Sequence, residues 1–386
     1  MERSMQAVRL YCRNHPMKKI LIFSLAYYPR VGGAEVAIKE ITDRLGSEYS
    51  FDLITARFNR TALRQERMGA VMVHRLGVGV PLLDKFWLPW GGALYARALH
   101  KKHAYDAWWC MMATFGSGAA YLAKIIFRIR VPIVLTLQEG DSEAHIRYRW
   151  GGLIGLSWWL ALRRTQMLTV ISSYLAERAK VYGYKGSLEI IPNGVDVQKF
   201  SGAPVAHGGV VLIHTGRLVH KNAVDDIICA LKLLPQEVRL RLFGIGPDFP
   251  KLCALAKKLG VEARVEFMGF VDQAQLPALL HAADIFIRPS RSEGMGNSFI
   301  EAFAAGLPVI ATQKGGLKDY ITSEVAWPVE KDSPLQIAAA VEAIVRNPQA
   351  TGRVVENAKQ LAARKYDWNL LARAMREKVF ARLFHT

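Results

Sequence analysis

A rhythm that runs through the chain twice limits its fold more than any other feature. Apolar runs of about four to eight residues alternate with helical segments, and short strands of that kind belong to parallel sheets covered on both faces. The first series places strands at Lys19–Ser24, Phe51–Thr55, Val71–Leu76, Asp106–Met112, Ile133–Leu137, Met167–Ile171 and Glu189–Ile191, with helices at Ala34–Leu45, Tyr95–Lys102 and Ser172–Tyr182. A small-residue stretch with one proline, Ser201–Gly209, suits a linker. The alternation restarts at Val210–His214 and continues through Arg239–Phe243, Val265–Met268, Ile285–Arg288, Val309–Ala311 and Ala326–Val329. An amphipathic helix over Trp368–Leu383 closes it.

The 386 residues fit two domains at roughly 100–200 residues each. The expected fold class is α/β, two Rossmann-like doubly wound domains facing across a cleft. An N-terminal extension covers 1–16, a first domain 17–200, a linker 201–209 and a second domain 210–367, with a C-terminal helix over 368–386 crossing back to the first domain. Ligands of such sheets bind beyond the carboxyl ends of the strands, which places the expected site in the cleft.

With 51% apolar residues the chain has the surface to fold, which excludes a disordered class. Cys12, Cys110, Cys229 and Cys253 stand far apart with no CxxC pair, so they read as buried small hydrophobes in a reducing compartment, and no metal site is expected. The net charge is +18, and it is uneven: residues 1–200 hold 28 basic against 15 acidic side chains. That half is expected to meet something anionic, a membrane surface or a phosphorylated substrate. The basic residues are scattered, with no recognition-helix, zinc-finger or RNP pattern, so nucleic acid is not expected as a partner. Met1–Pro16 lacks the apolar core of a secretory signal. Trp150–Leu162, fenced by arginines and rich in tryptophan, is too short to span a bilayer, for which about 20 residues are needed. It reads either as a buried helix or as an interfacial one, and Pro81–Leu99 has the same basic-aromatic character. Peripheral attachment at the cytoplasmic face of a membrane is the expectation.

Chemistry concentrates in Arg288–Thr312. A strand runs into a loop holding Glu293, Gly294, Met295 and Gly296, and a helix opens with Asn297 or Ser298 as N-cap. The glycines let backbone pass close to a ligand, and the helix start offers free N–H groups to a phosphate or sugar hydroxyls. Glu301 follows Glu293 by eight positions, an E-x7-E spacing that lets both carboxylates face one ligand. Glutamates so spaced are common on solvated faces, but Glu301 sits among Phe299, Ile300, Ala302 and Phe303, where a carboxylate needs a partner. Upstream, Arg217 and Lys221 straddle a loop-to-helix junction after Gly216 and can hold a diphosphate. Gly32-Gly33 makes a phosphate-approach turn possible, but no GxGxxG or GxxxxGK[ST] is present, which disfavours a dinucleotide dehydrogenase or P-loop ATPase.

From Met17 on, the sequence resembles the retaining GT-B glycosyltransferases that use nucleotide-sugar donors, of the group 1 / family 4 type. The resemblance is carried by Pro29–Glu35, Ile191–Asp196, Gly216-Arg217 with Lys221, Phe243–Pro247, Gly269–Val271, Glu293–Glu301 and Gly315-Gly316. It implies that Arg217 and Lys221 neutralise the donor diphosphate, that Glu301 binds the ribose, and that Glu293 and the Gly294–Asn297 backbone hold the donor sugar, with Ser298 also on the donor side. It implies further that Gly33 approaches the diphosphate and that the loops at Gly244 and at Phe270 and Val271 surround the base. No cofactor and no metal are implied, the nucleotide sugar being the substrate. One departure stands out: Gln138 occupies the place where the family often has a histidine, so it is expected at the donor sugar, with Glu139, Asp141 and His145 facing the acceptor. The implied activity is transfer of a hexose to a lipid-linked or polysaccharide acceptor. The alternatives are a soluble transferase with a small acceptor and a non-catalytic sugar-nucleotide-binding protein.

Overall fold

A computed structural model describes residues 17–140 and 153–384. The chain forms two compact units, one from the residues up to Pro192 together with those from Asn369 on, the other Asn193–Trp368.

The first unit runs β1 (Lys18–Phe23), α1 (Gly33–Leu45), β2 (Tyr49–Ala56), β3 (Gln65–Met68), β4 (Val71–Leu76), α2 (Pro81–His103), β5 (Ala107–Met111), α3 (Phe115–Phe127), β6 (Ile133–Leu137), α4 (Leu153–Arg164), β7 (Met167–Val170), α5 (Ser173–Val181) and β8 (Ser187–Ile190). Its sheet has the order β3-β4-β2-β1-β5-β6-β7-β8, parallel except where β3 pairs antiparallel with β4. The second unit runs α6 (Val197–Phe200), β9 (Val210–Thr215), α7 (Val224–Leu231), β10 (Val238–Phe243), α8 (Phe249–Leu259), β11 (Val265–Gly269), α9 (Leu276–His281), β12 (Ile285–Arg288), α10 (Asn297–Ala305), β13 (Val309–Thr312), β14 (Trp327–Val329), α11 (Pro334–Arg346) and α12 (Pro348–Lys365). Its sheet is all parallel in the order β11-β10-β9-β12-β13-β14.

Central strands bury both faces, which is why they read as continuous apolar runs. Ile20, Leu21, Ile22 and Phe23 of β1 are fully buried, as are Ile285, Phe286 and Ile287 of β12. Each such side chain contributes roughly 1.5–3 kcal/mol of burial. Every strand expected from the sequence is present, and β3 is an additional edge strand. Residues 201–209, read from the sequence as linker, are largely exposed, and Val205 N–H donates to the His281 carbonyl of the second unit at 2.7 Å. A last helical run, α13 (Trp368–Ala374), continues through a π-helical turn (Met375–Phe380) into Ala381–Phe384. Its Phe380 ring packs on Tyr49 and Trp109 at 5.4 and 5.8 Å.

Three expectations are corrected. The helix expected over Tyr95–Lys102 is the end of the much longer α2, which tolerates Pro89 inside it and packs Gly92 against Ala119. Of the described cysteines only Cys110 is buried; Cys229 on α7 and Cys253 on α8 are partly exposed. The N-cap of α10 is Gly296, not Asn297 or Ser298, whose side chains are engaged elsewhere. The N-terminal extension, Cys12 and Trp150–Gly152 lie outside the described residues. Trp158 is buried in α4 while its neighbour Trp159 is exposed. Among the described residues no helix is long and apolar enough to cross a membrane.

Candidate active site

In the second unit the strand order reverses between β9 and β12, and doubly wound sheets hold ligands at such a reversal. Two loops leave the carboxyl ends of these strands, residues 216–223 after β9 and 289–296 after β12. Arg288, the last residue of β12, joins them. Its guanidinium forms an ion pair with Glu293, donates to Ser298 Oγ at 2.8 Å and to Asn222 Oδ1 at 3.1 Å, and lies over the Phe299 ring. Asn222 Nδ2 in turn donates to the Arg217 carbonyl at 2.6 Å. A hydrogen-bonded run therefore connects Glu293 through Arg288 and Asn222 to the backbone of Arg217. The Arg217 side chain itself is exposed and that of Lys221 half-buried.

Arg291 ties the same two loops from outside. Its backbone N–H donates to the Lys221 carbonyl at 2.7 Å and its Nη1 to the His220 carbonyl at 2.8 Å. The guanidinium also pairs with Asp225 at 2.8 Å, Asp226 at 3.0 Å and Asp332 at 2.6 Å. Burial pushes the Asp226 carboxyl up to about 6, with Arg291 opposing and Asp225 and Asp332 reinforcing the shift. The adjacent aspartates that open α7 are thus partners of an arginine.

Glu301 lies in α10 and is 6% exposed. Gln273 Nε2 donates to its Oε1 at 2.9 Å. Burial pushes its carboxyl up to about 7, against the opposing pull of Arg288, Lys199 and the Gln273 bond. His214, at the end of β9, is fully buried beside Arg288; desolvation first and that guanidinium second depress it to about 3, so it is neutral. His214 Nε2, Arg288 Nε and Ser290 Oγ are buried with no hydrogen-bond partner among the described residues, an uncommon condition that is met at functional sites.

Two glycines make the loops possible. Gly244, at φ +140°, follows β10, and a Cβ there would lie 1.9 Å from the Gly216 carbonyl oxygen. Gly315, at φ +60°, would place a Cβ 2.0 Å from the Glu293 carbonyl, which accepts from Gly316 N–H at 3.0 Å. Side chains at either position would push the β9 or β12 loop aside.

Among the other expected residues, Met295 is buried with its sulfur beside the Asn193 N–H, and Asn297 Oδ1 accepts from Asn193 Nδ2 at 3.0 Å. The Met295 side chain is therefore internal and the Asn297 side-chain carbonyl oxygen is engaged, while Asn297 itself remains partly exposed. Gly216, Gly244, Phe270 and Val271 lie at or just beyond the carboxyl ends of β9, β10 and β11, with Phe270 exposed. In the first unit Gly33 opens α1, where Glu35 accepts from the Gly32 N–H at 2.7 Å. Gln138 and Glu139 follow β6; the Glu139 carboxylate accepts backbone N–H groups from Ala113 at 2.7 Å and Gln138 at 3.0 Å. Asp141 and His145 lie outside the described residues. Arg288, Asn222, Arg291 and Gln273 were not singled out from the sequence. The available signal was a cation, Arg288, ending an otherwise apolar strand.

The fold and this strand-end constellation define a GT-B-type protein of two Rossmann-like units. The family described as Glycosyltransferase Family 4 matches residues 31–199, and that described as Glycosyl transferases group 1 matches residues 198–361. The chain belongs to the group 1 glycosyltransferases. It is 29% identical over 255 residues to a glycogen synthase of Mycobacterium tuberculosis, covering 63% of this chain and 62% of that one. It is 30% identical over 230 residues to the GDP-mannose-dependent alpha-(1-6)-phosphatidylinositol monomannoside mannosyltransferase of the same organism, covering 54% of this chain and 60% of the relative. The matches thus span less than two thirds of these relatives. Sucrose-phosphate synthase from Thermosynechococcus elongatus shares the fold with a TM-score of 0.84 at 19% identity, over 95% of this chain and 99% of that one.

Proposed function

We propose that this chain is a retaining, metal-independent hexosyltransferase that moves a hexose from a nucleotide diphosphate sugar to a lipid-linked or polysaccharide acceptor at the cytoplasmic face of a membrane. The observation that carries the reading is the run Glu293–Arg288–Asn222–Arg217, with Glu301 buried in the helix that follows. We read the two carboxylates and the two loop cations as one strand-end site, suited to a donor that is a sugar at one end and a diphosphate at its centre.

In this reading Arg217 and Lys221 meet the diphosphate, Glu301 accepts from the ribose hydroxyls, and Glu293 with the 294–297 backbone holds the sugar. The bond from the anomeric carbon to the phosphate oxygen breaks and leaves a nucleoside diphosphate, whose growing charge the fixed cations and N–H groups stabilise. The acceptor hydroxyl attacks from the face the leaving group departs, and its proton passes to a phosphate oxygen. No protein nucleophile is required, unlike the two-carboxylate hydrolases. Gly33, Gln138 and Glu139 of the first unit serve the sugar and acceptor side.

A thermal-shift panel of nucleoside diphosphates and their sugars identifies the base, because a ligand of the native state raises the melting temperature. Turnover of the stabilising donor, lost in Glu293→Ala and Arg217→Ala, supports the reading. Binding without turnover of any donor, alone or with lipid extracts as acceptor, overturns it.

A further inference from the structure

We propose that the amino-terminal half of α2 is a docking surface for an anionic lipid bilayer, held at interfacial depth. It deepens the reading above by naming the surface that meets the membrane, and only its link to the acceptor rests on that reading.

Helix α2 is apolar on both sides. Asp84, Leu88, Gly92, Ala93, Ala96 and Leu99 are buried, whereas Leu82, Leu83, Phe86, Trp87, Trp90 and Leu94 are 47–69% exposed. The exposed set recurs every three or four residues and so forms a stripe. A helix at a water-facing surface turns charged residues outward on that side; this one presents two indoles and a phenyl ring, the side chains favoured at a membrane interface. Exposed apolar side chains recur on the helices that follow, Ile125 and Ile126 at the end of α3, which packs along α2, and Trp159 on α4, which packs on α3.

Charge selects the occupant. Over α2, α3 and α4 the only acid is Asp84, and its buried carboxylate accepts backbone N–H groups from Phe58, Val78 and Gly79 at 3.0, 2.7 and 2.9 Å. Lys85 lies over the Phe115 ring beside the stripe at 5.0 Å; towards the carboxyl-terminal ends of the three helices Arg97 and Arg163 lie over Phe127 and Trp159 at 4.5 and 4.2 Å, and Arg128, Arg130 and Arg164 are exposed. Among the described residues these helices thus offer aromatic rings and cations with no free acid, which suits anionic headgroups over an apolar interior. A second copy of the same face would oppose like charges.

The stripe is also rigidly placed. Asp84 clamps the first turn of α2 to the loops that follow β2 and β4, and Gly116 at the start of α3 packs on the Ser24 backbone at the end of β1. The docking surface thus shares the carboxyl-end edge of the first sheet, where a ligand of such a sheet binds. A lipid-linked acceptor held in the bilayer would present its hydroxyl to that edge.

The test is co-sedimentation of the full chain with phosphatidylcholine vesicles, with and without phosphatidylglycerol. Binding is expected to the anionic vesicles, weakened by salt and lowered about tenfold or more by the double variant Trp87→Ser/Trp90→Ser. Both indoles are exposed, so the melting temperature is expected to stay unchanged, which separates lost docking from misfolding. Turnover of a water-soluble acceptor should survive the variant while turnover of a vesicle-borne acceptor falls. No binding to anionic vesicles, binding indifferent to the two tryptophans, or a solution dimer that the double variant dissociates would each overturn the proposal. Vesicle binding that persists in a chain without transferase activity would instead refute the functional reading and leave this one standing.

Discussion

Donor binding should be linked to a proton on Glu301. Burial lifts this carboxyl to about 7, so near neutral pH the unliganded protein holds a mixture of acid and carboxylate. Ribose hydroxyls donate most strongly to the ionised form, and binding therefore requires loss of the proton below that pH. Affinity is expected to weaken tenfold per unit once the pH is well below about 7, so that a change from about pH 8 to about pH 5.5 costs about 30-fold, or about 2 kcal/mol. Isothermal titration with a nucleotide sugar is the suitable assay, because both of its phosphates stay ionised over this range and only the protein titrates. Near pH 6 about one proton should be released per donor bound, read from buffers of different ionisation enthalpy. Glu301→Gln should weaken binding and flatten the profile. A pH-independent affinity in the unsubstituted protein, or tighter binding in acid, would refute the reasoning. Stability carries the opposite sign: the folded value lies above the unfolded one of 4.5, so the protonated form's contribution is fully present below 4.5 and is lost as pH rises through about 7.

Three further outcomes follow from the loop architecture. Arg291→Ala leaves Asp226 buried and unpaired and releases the turn that carries Lys221; a loss of about 3 kcal/mol in chemical denaturation is expected, at the lower end for broken buried pairs because Asp225 and Asp332 are more exposed, while Asp332→Asn should lose under about 1 kcal/mol. Equal stability losses in the two variants would show that the buried aspartate is not the dominant partner. Arg217→Ala should lower kcat by about 100- to 1000-fold without shifting the melting temperature, since its side chain is exposed; a loss confined to KM would show that it binds ground and transition states equally and does not stabilise the charge growing on the leaving diphosphate. Gly244→Ala forces a Cβ to within 1.9 Å of the Gly216 carbonyl, so donor-induced thermal stabilisation should vanish; retained stabilisation would mean the β9 loop yields cheaply.

What the sequence made legible and what it hid differ by the range of the interactions involved. Strands such as Ile20–Phe23 and Ile285–Ile287 are apolar throughout because both faces are covered, and that leaves a mark readable in a short window. The E-x7-E spacing and the Gly-rich loop are equally local. β3, Gln-Glu-Arg-Met, left no mark because an antiparallel edge strand with exposed residues can be polar. Asn297 and Ser298 looked like helix caps by composition, but longer-range partners, Asn193 and Arg288, claim their side chains. Arg288 and Arg291 show the limit most clearly. Asn222 and Arg288 are 66 positions apart and meet only because β12 returns to pair with β9 after the chain has laid down β10 and β11 on the other side. A sequence window contains the cation and, far away, its acceptor, but not the strand order that brings them together. The residues that join the Glu293 loop to the Arg217 loop therefore follow from topology, and their chemistry becomes visible only once the reversal between β9 and β12 is known.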